Sequence, residues 1–144
     1  MAETYLAPSV EAATALIRRG HAGPLVMMNL LRFRQIADYA ETPDLAPEAP
    51  ISGAAAFESY VAATLPHLEA AGGAILFRGT GGPWLIGPEA ARWDHVMLVR
   101  QTSVAAFLGW AEHEAYLDGI GHRTAALEDS RLLPVFEADW GGHG

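Results

Sequence analysis

The strand segments of this chain are apolar on both sides, and that limits its fold more than any other feature. The run LVMMNLLRF follows Pro24 and reads as a strand. Within it Leu25, Met27, Leu31 and Phe33 share one parity, while Val26, Met28 and Leu30 share the other. In the segment Trp93 to Gln101, Val96 and Leu98 oppose Met97 and Val99. In a last segment, Arg131 to Ala138, Leu132 and Phe136 oppose Leu133 and Val135. An antiparallel sheet with one wet face alternates apolar and polar residues. These segments do not, and two helices can cover only one face. The expectation is a homodimer, sheet against sheet across a two-fold axis, closing a barrel. The alternative is that an N-terminal helix and a long loop fold over the free face.

The remaining punctuation fills in the order of elements. Ser9 can N-cap a short helix that Gly20 ends near Arg19, within an N-terminal extension over residues 1–23. Residues 35–51 form a long Pro-rich, acidic loop. From Ser52 to Ala71, Phe57, Val61, Leu65 and Leu68 lie on one helical stripe, with Pro66 as a point of kinking or early stop. Ala74 to Arg78 is a short strand, and the turn-rich GTGGPWLIGP leads into the next one. Ser103 can cap a second helix, which Gly119 and Gly121 interrupt, and HRTAALED adds a turn or two before the last strand. Pro134 places that strand at an edge or a bulge. Without the first helix the order is βαββαβ, an α+β, ferredoxin-like, four-stranded antiparallel sheet with two helices on one face.

Composition narrows the chemistry. The chain has 144 residues, the length of a single domain, and 51% of them are apolar. It has no cysteine, which removes disulfides, thiolate metal sites and cysteine nucleophiles. All nine basic residues are arginine, so a Schiff-base or P-loop lysine is absent too. A net charge of −8 makes nucleic acid a poor partner. There is no run of membrane-spanning length and no basic-then-apolar leader pattern in MAETYLAPSVEAA, so no membrane contact and a cytoplasmic location are expected.

Several ordered motifs carry a family resemblance. MMNLLRFR is followed by Ser52-Gly53 with Ala56-Phe57 and Tyr60, then by GGAILFRG, WDHVMLVR, SVAAFLGW and HRTAALEDSRLLP. Over about residues 24 to 137 the chain resembles the domain-of-unknown-function family thirteen-thirty, within the dimeric α+β barrel superfamily. The resemblance implies the fold, the dimer and a pocket between sheet and helices. It implies no settled reaction. Cofactor-free monooxygenases, lactone isomerases, haem peroxidases and chlorite-detoxifying enzymes share the superfamily, and kinship of fold alone does not choose among them.

Candidate site residues follow from isolated polar groups. Asn29 is the one polar side chain between Leu25 and Leu31, so it either satisfies the core or offers an amide at the pocket floor, the role that its match to the family's NLL motif favours. Arg78 and Arg100, near strand ends, can pair on the surface or anchor an anion. Arg32 and Arg34 can pair with Asp38 or Glu41. HRTAALEDSR holds His122, Arg123, Asp129 and Ser130, the densest polar set in the chain. His122 would be the acid or base, with Arg123 or Arg78 holding an anion or a developing enolate. His122 and Asp129 lie seven apart, too far for a direct bond along a straight helix, and Asp129 and Ser130 equally suit a helix–strand turn. Tyr60, Trp93, Trp110 and Tyr116 can line an aromatic pocket or pack the core. His113 between Glu112 and Glu114 offers no shared helical face for a metal, and no HExxH pattern occurs, so neither metal nor cofactor is expected. The function these residues suggest is a cofactor-free enzyme acting on a small anionic or aromatic molecule. A non-catalytic small-molecule-binding dimer and a ligand-free structural dimer are the alternatives.

Overall fold

Three serine caps set the helix starts in a computed structural model that describes residues 3–140. Ser9, Ser52 and Ser103 each accept a hydrogen bond from the backbone N–H three residues on, at 3.0, 3.0 and 2.9 Å. The helices they open are α1 (Val10–Arg18), α2 (Gly53–Ala70) and α3 (Val104–Ala111), and α4 (Glu114–Ala126) follows. The strands are β1 (Leu25–Phe33), β2 (Ala74–Pro83), β3 (Arg92–Gln101) and β4 (Leu127–Val135). They form one sheet in the order β2-β3-β1-β4, with all neighbours antiparallel. This is the ferredoxin-like α+β arrangement, with α1 added before it.

Three boundaries differ from the sequence expectation, each for a packing reason. β2 continues past Arg78 to Pro83, because Gly79, Thr80 and Gly82 still pair with Val96, His95 and Trp93. α4 runs through Gly119 and Gly121 instead of breaking there. Those glycines allow close approach: a Cβ at Gly119 would crowd Thr64 of α2, and one at Gly121 would crowd Thr42 and Leu45 of the long loop. β4 begins at Leu127, four residues early, since Leu127 already pairs with Phe33 across a bulge at Glu128 of β4. Asp129 and Ser130 therefore sit within a strand. Pro134 lies on β4, an edge strand, as its missing N–H requires. α2 passes over Pro66 and keeps Leu68 buried.

The core fills the space between sheet and helices. Leu25, Leu31, Ala56, Phe57, Ala126 and Leu127 are almost fully buried. The long loop does not cover the other sheet face. It runs beside α4, where Asp38 N–H donates to the Ala125 carbonyl at 2.9 Å and Tyr39 is buried. α1 does not cover it either: its Ala12, Ala13 and Leu16 lie on the helix side with Met27 and Val99. The opposite face carries an apolar row across all four strands, Phe77–Leu98–Met28–Leu133, with Phe77 53% and Leu133 58% exposed.

Gly53 is the tightest point of the scaffold. Its N–H donates to the Arg34 carbonyl at 3.0 Å, and a Cβ there would sit on the carbonyl oxygens of Arg34 and Ala126. Backbone on both sides cannot yield as a flexible side chain would. Gly53→Ala should therefore destabilise the fold by about 3 kcal/mol, in the range of overpacked core substitutions. Urea unfolding checks this, and an unchanged midpoint would contradict it.

Candidate functional site

The inward parity of the sheet and the facing helices enclose a cavity of about 620 Å³. Its floor is Met27 and Asn29 of β1, Met97, Val99 and Gln101 of β3, Ile75 of β2 and Leu132 of β4. Its walls come from α2, α3 and α4, and the N-terminal segment with α1 closes the remaining side. Most of this lining is apolar, as small-molecule sites generally are. Among the described residues that line it there is no histidine and no carboxylate.

Its polar groups cluster around Arg123. Arg123 is only 9% exposed, it lines the cavity, and one guanidinium nitrogen donates to the Leu6 carbonyl at 2.8 Å. No carboxylate among the described residues pairs with it. Burying a cation without an anionic partner is costly, which makes Arg123 a candidate to receive an anion. Tyr60 and Tyr116 line the same space with their rings edge to face, centroids 6.3 Å apart. Burial holds both phenols above their ordinary pKa, and the nearby Arg123 charge offsets this only in part. Both therefore stay protonated at neutral pH and can donate hydrogen bonds. Asn29, 8% exposed, donates its amide N–H groups to the Met27 and Met97 carbonyls at 3.2 and 3.3 Å. That fixes the amide and leaves its carbonyl oxygen as an acceptor.

Of the residues singled out in the sequence, Asn29, Tyr60 and Arg123 meet in this cavity, and Tyr116 joins them. Trp110 and Ser130 line it too, whereas His122, Asp129, Arg78, Arg100, Arg32, Arg34 and Trp93 do not. His122 lies on another side of α4, its Nδ1 hydrogen-bonded to the Tyr39 hydroxyl at 2.8 Å, and burial lowers its pKa. Arg78 pairs with Glu58, and its Nε lies 3.2 Å from His95 Nε2, so it serves an ion pair rather than the cavity. Trp93 packs against two cations, with the Arg32 and Arg131 guanidinia 4.7 and 5.1 Å from its ring centroid. Arg100 lies opposite Val26, on the outward parity of the sheet.

Asp129 is likewise structural and forms no pair with His122. Its carboxylate accepts from the Tyr5 N–H at 2.8 Å, the Ser130 N–H at 2.8 Å and Arg131 at 2.7 Å, with Arg32 at 3.5 Å. Together with the Ser130 N–H donating to the Tyr5 carbonyl, this pins the N-terminal segment along the outer edge of β4. Burial alone would raise the Asp129 pKa, but these bonds outweigh it and hold the carboxyl below its usual value. A depressed folded-state pKa adds stability above the unfolded value of about 3.9, which is lost as pH falls through the folded one. The melting temperature should thus drop below about pH 4. Asp129→Asn should start lower and show a weaker acid dependence, and an identical acid profile would remove Asp129 from this role.

Among the described residues no three His, Asp or Glu side chains come together as metal ligands, and no helix is long and apolar enough to cross a membrane.

Two solved structures are close in fold and sequence. One, described as the crystal structure of methylated RPA0582 protein, superposes with a TM-score of 0.81 at 33% identity, covering 96% of this chain and 98% of that one. Another, of the RPA0582 protein of unknown function from Rhodopseudomonas palustris, a structural genomics target, gives 0.78 at 34% identity, over 92% of this chain and 96% of that one. The chain belongs to the RPA0582 family. No family model and no curated protein matches it. For this member of the RPA0582 family, sequence reasoning missed two parts of the cavity, Gln101 and the α1 wall. Parity could have found Gln101, which shares the inward set with Met97 and Val99. α1 carried no such signal, because Ala12, Ala13 and Leu16 read as an ordinary amphipathic stripe.

Proposed function

We propose that this protein is a cytoplasmic homodimer that binds a small, mostly apolar organic anion, one in each subunit's cavity. The observation that carries this reading is Arg123, a buried cation with no carboxylate partner among the described residues, opening on an apolar space beside two protonated phenols. A carboxylate would replace bulk water as its partner, in a surrounding where a charge-assisted bond is strong. The apolar row on the outer sheet face supports the dimer, and the ordered motifs support kinship with family thirteen-thirty.

The catalytic version of this reading changes its actors. With His122 and Asp129 bonded elsewhere, acid–base work in the cavity falls to Tyr60 and Tyr116, and Arg123 would stabilise a developing enolate. Binding without turnover needs fewer assumptions and is the reading preferred.

A melting-temperature screen against medium-chain and aromatic carboxylates tests it. A ligand present at 100 times its Kd should add about 2.7 kcal/mol of stability. Their alcohol counterparts should add much less. Equal shifts from acids and alcohols would contradict anion recognition.

A further inference from the structure

The cavity is polar at a second place, away from Arg123. Gln101 ends β3 opposite Leu25, on the inward parity, and is 3% exposed. It lines the cavity, and among the described residues its side-chain amide takes no hydrogen bond. The amide atoms open on the cavity space, where a bound molecule can supply their partner.

The register gives the spacing. Asn29 lies opposite Met97, and Gln101 lies four residues further along β3, about 13 Å away at strand rise. Arg123 belongs to the other end of the space, since its partner Leu6 adjoins Tyr5, which is bonded to Ser130, and Ser130 lies opposite Leu31. Between the two ends the lining is apolar, with Met27, Val99, Ile75, Leu68 and Phe107. The cavity is thus polar, apolar and polar along its length.

We infer that the ligand is an elongated organic acid with a second hydrogen-bonding group, a hydroxyl, ketone or amide, at the end remote from its carboxylate, and that Gln101 is the residue that selects for it. This rests on the anion-binding reading above. The carboxylate goes to Arg123 with Tyr60 and Tyr116, the body fills the apolar middle, and the far group bonds the Gln101 amide. An amide both donates and accepts, so Gln101 takes either kind of far group, whereas an alkyl end leaves it unpaired.

Calorimetric Kd values for decanoate, ω-hydroxydecanoate and decanol test this, on the wild type and on Gln101→Leu. In the wild type, ω-hydroxydecanoate should bind about fivefold tighter than decanoate, the worth of one net hydrogen bond. Gln101→Leu should abolish or reverse that preference, and decanol should bind weakest to both proteins. If decanoate binds but the hydroxyl adds nothing in the wild type, or its advantage survives in the variant, the Gln101 inference falls while anion binding stands. The wild-type comparison needs no variant to fold. If decanol matches decanoate, or none of the three binds, the anion-binding reading falls and takes this inference with it.

Discussion

Arg123→Met lowers the affinity for carboxylate ligands about a hundredfold and leaves the fold standing. A hydrogen bond to a charged group is worth about 1.5–3 kcal/mol net. At 1.4 kcal/mol per tenfold, the upper part of that range gives the hundredfold loss. Methionine keeps an apolar stem of similar reach, so the wall of the cavity stays filled. The fold should survive because, among the described residues, the buried Arg123 has one bond, to the Leu6 carbonyl, and no anionic partner. Replacing a poorly compensated buried charge by an apolar side chain is commonly neutral or stabilising. Affinity and stability should therefore separate, the first falling steeply and the melting temperature holding or rising. Arg123→Lys restores the charge but not the planar fork, and it should recover only part of the affinity. Wild-type affinity in Arg123→Met would remove the anion from the proposed function. A collapse of the melting temperature would make Arg123 a strut for the N-terminal segment.

The separation between what was legible in the sequence and what was not follows the range of the interactions. Ser9, Ser52 and Ser103 are local signals: each cap closes over three residues, and each is present. Strand parity is nearly as local, so Asn29 could be read as a buried amide. Arg123 was legible only as one member of a polar cluster, because its helix carries little amphipathic pattern. Two glycines on α4 look like breakers until Thr64 and the long loop are brought against them. His122 and Arg123 are adjacent in sequence, yet successive helical residues point about 100° apart, so one meets Tyr39 and the other the cavity. Asp129 shows the same limit. Its partner Tyr5 is 124 residues away, a closure that no window of sequence displays.

Leu98→Glu should turn a two-chain particle into a single chain. Leu98 stands in the middle of the outward row, beside Phe77 on β2 and Met28 on β1, with Leu133 beyond. If two copies pack sheet to sheet, that row is the centre of the contact, and an isologous interface places every substitution twice. A carboxylate there must lose water or take up a proton, a cost of about 2 kcal/mol per chain at the low end for a buried polar group. Two chains make about 4 kcal/mol, roughly a thousandfold in the dimer dissociation constant. The helix-side core is untouched, since Leu98 faces away from it, so secondary structure and the cavity should persist in the separated subunit. Sedimentation at micromolar concentration reads the outcome: two-chain mass for the wild type, one-chain mass for Leu98→Glu, and far-ultraviolet dichroism unchanged. A wild type that already sediments as one chain would mean that the row Phe77–Leu98–Met28–Leu133 stands open to water. The case for a dimer would then be lost, while the Arg123 cavity, enclosed by residues of a single subunit, would keep its own test.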